Sequence, residues 1–147
     1  MRAARHPDLW DLRTPRLQLQ RITVRDLPDL ERMQADAQTM ATLGGMRDAA
    51  TTRRMVDDGI AHWDAYAFLP AFWGRGLATE LASASVRAGF AELGLADLVC
   101  FTLTKNRASQ RVMEKVGFVF ERGVEHAGLP HLLYRLRASA WRSGAKS

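Results

Sequence analysis

The sequence predicts an α/β protein in which a mixed sheet carries helices on its faces. Short alternating or continuously apolar stretches indicate strands, and longer stretches with apolar residues three or four apart indicate helices. Their order is strand, two helices, strand, helix, strand, helix and two strands, which is typical of a sheet covered by helices. With 147 residues, the chain is expected to form one domain over residues 12–141, with residues 1–11 and 142–147 as loosely held termini.

The first half of the chain is predicted to open with a strand over residues 16–22, where apolar and polar residues alternate. Thr23 and Asp26 form a capping-box pattern that starts a helix. A second helix is expected from about Asp48, and residues 65–69 are expected to end a second strand. The apolar residues assigned to the inner face of the second helix are Met55, Val56, Ile60 and Trp63.

The second half begins with a long amphipathic helix that starts at Leu77 and closes at Gly94. Its predicted inner stripe is Leu77, Leu81, Ala84, Ser85 and Ala88. Residues 98–103 are almost continuously apolar, which predicts a strand covered on both faces.

The last predicted helix starts at Asn106 or Ser109, with Val112, Met113 and Val116 inward, and it ends at Gly117. Two further strands, residues 118–125 and 132–136, are expected to form a hairpin across residues 127–130.

Composition and charge exclude several classes of protein. A single cysteine, Cys100, excludes an intrachain disulfide and a thiolate zinc site. The net charge of +5 favours anionic partners, but scattered arginines without a basic tract disfavour nucleic acid. We expect no membrane segment, and the absence of a signal-like N-terminus predicts a cytoplasmic protein. His126 and His131 lack a neighbouring carboxylate, which favours a surface role over a metal site.

The most informative segment is the loop Trp73-Gly74-Arg75-Gly76 in front of the helix that starts at Leu77. The first backbone N–H groups of a helix lack internal partners, and the helix dipole makes that end partly positive. Such an end binds phosphate groups, and glycines let the backbone approach them closely. Arg75 adds a charge and Thr79 a hydroxyl. The alternative interpretation is a glycine turn that only joins a strand to a helix.

Two motifs resemble the signatures of GCN5-related N-acetyltransferases, the GNAT family. Trp73-Gly74-Arg75-Gly76-Leu77-Ala78 is similar to the family's coenzyme A diphosphate loop, with an aromatic residue first, as in the branch of ribosomal-protein N-terminal acetyltransferases. Asn106 to Phe118 resembles the second signature, Asn-x-x-Ser through to Gly-Phe. Residues 12–19 and 131–136 resemble the first and last strands of this branch.

The resemblance implies the three-layer α/β/α fold of acyl-CoA N-acyltransferases and transfer of an acetyl group from acetyl-CoA to an amine, without a metal. It implies that Asn106 helps to hold the pantetheine arm of the cofactor. The cofactor-binding residues implied in this way are Phe68, Leu69, Trp73, Gly74, Arg75, Gly76, Leu77, Ala78, Thr79, Asn106 and Ser109.

The chain departs from the family pattern in its middle, where the resemblance implies that roughly 30–40 residues of central strands are missing before Pro70. The missing part includes the place of the glutamate base of many relatives, and Met113 stands where many have a tyrosine acid. Tyr134 and Ser109 are the remaining catalytic candidates, although a core role and a helix-cap role fit them better. The shortened sheet predicts an open edge, and therefore a homodimer or a poorly behaved monomer.

Three functions therefore stay open at the level of the sequence. The first is an acetyl-CoA-dependent N-acetyltransferase that acts on an α-amine or another primary amine. The second is a shortened relative with impaired or no catalysis that serves as a coenzyme A-binding or interaction module. The third is a basic protein associated with nucleic acid.

Overall fold

The structure of the protein is a computed structural model that describes residues 12–19, 22–61 and 68–144. The chain divides into two compact units, Gln20–Arg75 and Met1–Leu19 with Gly76–Ser147. The single domain expected over residues 12–141 stays a prediction. None of the helices in these ranges has the length and apolar character needed to cross a membrane.

The unit Gln20–Arg75 is helical in its described part. It contains α1 (Leu27–Gln34), α2 (Ala37–Met40) and α3 (Ala49–Ala61), with short 3-10 turns at Val24–Asp26 and Pro70–Phe72.

The predicted capping box starts the first turn of this unit, because the backbone N–H of Thr23 donates to Asp26 at 2.7 Å. Helix α1 packs against α3, where buried Thr52 donates its hydroxyl to Gln34 at 3.2 Å. Val56 is buried as expected, but Met55 is exposed, so the inner face of α3 runs through Thr52 and Val56. Trp63, assigned to the same face, lies outside the described residues.

The second unit has a three-stranded sheet with helices on one face. Its elements are α4 (Leu77–Arg87), a π-helical turn (Ala88–Glu92), β1 (Asp97–Leu103), α5 (Arg107–Lys115), β2 (Val119–His126), β3 (Leu129–Arg137) and α6 (Ala138–Gly144). The strand order is β1-β3-β2, and both pairings are antiparallel. The predicted α/β class with a small, shortened sheet is therefore confirmed.

The core of this unit lies between the sheet and its helices. Tyr134 and Leu136 on β3 pack with residues of α5 and of the π-helical turn. The core residues are Val86, Phe90, Met113, Phe118, Tyr134, Leu136 and Ala138. Ser85, predicted to face inward, is exposed, and Val86 takes the inner position.

Two strand predictions for the first half require correction. Residues 12–19 fold back on themselves at a bend at Pro15 and Arg16, where the Thr14 N–H donates to the Leu17 carbonyl at 2.8 Å and Arg13 makes an isolated antiparallel bridge with Gln18. Residues 20 and 21 of the predicted strand lie outside the described residues. Phe68 and Leu69 are not extended into a strand but lead into the turn at Pro70. Residues 65–67 of that predicted strand lie outside the described residues, and the described sheet is accordingly antiparallel rather than mixed.

Strand β1 is also not covered on both faces as its sequence predicted. Val99 is 53% exposed and Phe101 is 40% exposed. The apolar run has one buried face because, in the described part of the chain, β1 is an edge strand and the helices of its unit cover only the face that contains Leu98 and Cys100.

Candidate cofactor-binding site

The loop before α4 has the backbone geometry that its glycines predict. Gly74 and Gly76 have φ angles of +69° and +75°, a region that residues with a Cβ rarely adopt. Among the described residues, apart from its chain neighbours, none has an atom within 4 Å of the position that a Cβ of Gly74 would take. Both glycines and Arg75 are exposed, so the loop leaves open space next to its backbone.

Helix α4 begins directly after this loop without a side-chain cap among the described residues. Gly76 is its N-cap residue, and the first backbone hydrogen bond runs from Glu80 to the Gly76 carbonyl at 3.0 Å. Leu77 is buried and anchors the first turn, whereas Ala78 and Thr79 are half-buried. The first amides of α4 therefore retain the capacity to bind an anion.

The part of the loop that precedes Gly76 is held by contacts inside its own unit. The indole Nε1 of Trp73 donates to the Phe68 carbonyl at 2.7 Å, and the guanidinium of Arg75 lies 5.8 Å from the centre of the Phe72 ring. Leu69 is half-buried just before the turn at Pro70. The first-place aromatic residue of the motif thus closes the loop by a hydrogen bond.

Asn106 lies at the start of α5 and is 4% exposed. Its Oδ1 accepts the Ser109 N–H at 3.1 Å, and its own N–H donates to the Leu103 carbonyl at 2.9 Å. These bonds fix the side chain at the junction between β1 and α5, which pack against each other. Ser109 lies in the first turn of the helix that Asn106 caps.

Tyr134, the other catalytic candidate, is a core residue of β3. Its hydroxyl donates to Glu114 at 3.5 Å and its ring meets Phe120 edge-on at 5.8 Å. Burial, followed by the nearby Glu114 carboxylate, raises the pKa of the Tyr134 hydroxyl. The hydroxyl therefore stays protonated at neutral pH and contacts α5.

A cluster of Thr14, Arg16 and Glu80 next to the loop was not predicted from the sequence. Glu80, in the first turn of α4, accepts the Thr14 hydroxyl, the Arg16 backbone N–H at 3.1 Å and the Arg16 Nε at 2.6 Å. The Arg16 Nη2 lies 3.7 Å from the place of a Gly76 Cβ. The Arg16 guanidinium is thus held beside the start of α4. The one sequence signal that could have indicated this contact is Glu80, an acidic residue in the first turn of the helix.

The described fold is similar to that of acetyltransferases of known structure. The crystal structure of an acetyltransferase from Agrobacterium tumefaciens strain C58 has a TM-score of 0.72 and 23% identity, over 86% of this chain and 93% of that one. Residues 60–119, which include the loop, α4, β1 and α5, match the acetyltransferase (GNAT) domain. This match supports the assignment to the GNAT family that the two sequence signatures predicted.

Curated relatives match over shorter segments. FsC-acetyl coenzyme A-N(2)-transacetylase of Aspergillus fumigatus is 50% identical over 48 residues, 33% of this chain and 20% of that protein. The uncharacterized N-acetyltransferase YoaA of Bacillus subtilis is 40% identical over 53 residues, 36% of this chain and 30% of that protein. The match spans less than a third of either relative.

Structural neighbours of this chain include proteins solved with coenzyme A. Spermidine N-acetyltransferase from Vibrio cholerae, in complex with CoA and spermine, has a TM-score of 0.62 and 13% identity, over 84% of this chain and 96% of that one. At this identity the likeness concerns the fold, and neighbours with this fold bind coenzyme A.

Proposed function

We propose that the protein is an acetyl-CoA-dependent N-acetyltransferase that acetylates a primary amine, either a protein N-terminal α-amine or the amine of a small molecule. The observation that carries the proposal is the pair of left-handed glycines before a helix that has no side-chain cap in the described part of the chain. The cytoplasmic location predicted from the sequence is part of this proposal.

The diphosphate of the cofactor would bind the first amides of α4, at Leu77, Ala78 and Thr79. Backbone N–H groups at a helix start supply hydrogen bonds and a favourable dipole without a lysine. Arg75 in the loop and Arg16 next to Gly76 add positive charge. We propose that Asn106 and Ser109 help to position the pantetheine arm, and the assignment of Phe68 and Leu69 to that arm stays a prediction.

Acetyl transfer then requires an unprotonated amine close to the thioester carbonyl. The amine nitrogen attacks the carbonyl carbon, the C–S bond breaks, and coenzyme A leaves as a thiol. Holding both reactants in one orientation supplies much of the acceleration. A protein N-terminus, with a pKa of about 7.7–8.0, is neutral far more often at pH 7 than a lysine at about 10.4, which favours an α-amine acceptor.

Titration calorimetry with acetyl-CoA, followed by thiol release with a panel of amines, tests the proposal. Saturable binding together with amine-dependent thiol release supports it. Binding without turnover on any amine would instead identify a coenzyme A-binding module, and no response to acetyl-CoA contradicts the proposal.

We also propose that a second copy of the chain covers the open edge of β1. In the described sheet β1 has only one neighbouring strand, β3, and unpaired strand edges favour association. Size-exclusion chromatography with light scattering should show a dimer, and a clean, stable monomer contradicts this proposal.

A further inference from the structure

Two histidines and a phenylalanine form a cluster at one end of the sheet that the proposed function leaves unused. The ring of Phe101 on β1 lies 4.9 Å from that of His126 and 5.4 Å from that of His131, and the two imidazoles are 5.6 Å apart. Phe101 and His126 are exposed and His131 is half-buried. The cluster is on the face of the sheet opposite to Cys100 and Tyr134.

The hydrogen bonds of His131 determine which of its ring nitrogens can accept a proton. Its Nδ1 lies 2.9 Å from the Leu129 carbonyl oxygen. A carbonyl oxygen only accepts hydrogen bonds, so Nδ1 carries the hydrogen and the Nε2 lone pair points away from the hairpin backbone. An imidazole oriented by a backbone carbonyl in this way is the usual arrangement of a histidine that takes up a proton or binds a ligand.

The topology places this cluster at the same end of the sheet as the proposed cofactor residues. His131 pairs with Leu103, the last residue of β1, and the Leu103 carbonyl accepts the N–H of Asn106. The π-helical turn after α4 packs on the start of β1, where Gly89 faces Leu98.

We propose that His131 is the general base of the transfer, with Phe101 as the wall that receives the acceptor amine. This inference rests on the proposed function. The Nε2 of His131 removes one proton from the ammonium form of the acceptor, and the amine nitrogen then attacks the thioester carbon. The N–C bond forms, the C–S bond breaks, and the departing sulfur takes the second proton from that nitrogen. The imidazolium releases its proton to water.

Substitutions of the two histidines separate proton transfer from packing. His131→Asn removes the proposed base nitrogen, Nε2, and we expect it to lower kcat about 100-fold, the lower end of the range for general base catalysis. His126→Asn is the matched control, because the ring of His126 contacts the same cluster. We expect it to change kcat by less than about threefold. His131→Ala should regain part of its activity when imidazole is added. Acetyl-CoA affinity by calorimetry should be unchanged in all three variants, which shows that they are folded.

Each outcome bears on the inference. A His131→Asn variant with the kcat of the wild type overturns it, and so do equal losses in both asparagine variants without imidazole rescue, because these indicate ring packing alone. If the wild-type protein binds acetyl-CoA but turns over no amine, the proposed function fails first and the inference falls with it. If the wild type acetylates amines and His131→Asn keeps the same kcat, the inference is wrong and the proposed function still stands.

Discussion

Replacement of Gly76 by aspartate tests whether the start of α4 binds the cofactor diphosphate. A Cβ at Gly76 would meet only the Arg16 Nη2, at 3.7 Å, which is ordinary van der Waals contact. Aspartate and asparagine are also the residues that tolerate the left-handed backbone best after glycine. The change therefore adds a negative charge at the helix start, and Gly76→Asn adds a side chain of the same shape without the charge.

The expected loss of affinity follows from Coulomb's law. Two like charges about 4 Å apart repel by about 1 kcal/mol in water and about 4 kcal/mol at the effective dielectric of a protein surface. Arg16, next to Gly76, would neutralise part of the added charge, so we take the lower part of this range, about 1–2 kcal/mol. That corresponds to an acetyl-CoA Kd about 5- to 30-fold higher in Gly76→Asp than in Gly76→Asn.

Titration calorimetry with acetyl-CoA at low ionic strength measures this difference. Added salt should narrow it, because the charges are exposed and salt screens them. Equal affinities of the aspartate and asparagine variants at low salt would refute the reasoning, since the diphosphate would then bind elsewhere.

Three further predictions concern stability and reactivity. Leu136 is 3% exposed, so Leu136→Ala should lower the free energy of unfolding, measured in urea, by about 2–5 kcal/mol. Val119 is 69% exposed, so Val119→Ala should change that free energy by less than about 0.5 kcal/mol. Equal effects of the two variants would contradict the described core. Burial raises the pKa of the Cys100 thiol to about 12. A disulfide reagent at pH 8 should therefore react with Cys100 on the order of 10³ times more slowly in the folded than in the unfolded protein. Rapid labelling of Cys100 in the folded protein would disprove its burial. The Thr14 hydroxyl, and then Arg16, hold the pKa of Glu80 below its usual value, so its contribution to stability is present at neutral pH and is lost as the pH falls through that lowered pKa. Glu80→Gln should therefore reduce the loss of stability in acid, as measured by urea unfolding at pH 7 and at about pH 3, and an unchanged loss would show that this contact is not formed.

Local sequence signals predicted the ends of elements well. The capping residue Asn106 and the left-handed Gly117 delimit α5 as predicted, and Thr23 starts the turn before α1. Each of these features depends on hydrogen bonds within four residues. Such bonds form in the same way wherever the segment lies in the fold, so their sequence patterns are reliable.

Features that depend on distant residues were not predicted. The contact between Arg16 and Glu80 joins residues 64 apart, and Arg16 lies in a bend rather than in the strand that the alternation of its segment indicates. The exposed face of β1 at Val99 and Phe101 depends on which elements cover the sheet, and an apolar run carries no information about its neighbours. Both departures follow from packing rather than from an error in local propensity.

The candidate site divides in the same way. Gly74 and Gly76 were recognised from the sequence because two glycines directly before a helix start form a local pattern. Their positive φ angles agree with that pattern. The cluster of Phe101, His126 and His131 was not recognised, because it assembles only when the hairpin pairs with β1.

The central place of β3 has a consequence for how the protein is made. In the described sheet, β1 and β2 each pair with β3 and not with one another, and β3 follows both of them in the chain. Until the residues of β3 have left the exit channel of the ribosome, neither earlier strand has its partner. Assembly of this sheet therefore waits for the synthesis of β3, and a nascent chain cut short before Leu129 would expose the apolar strand β1 to chaperones and proteases.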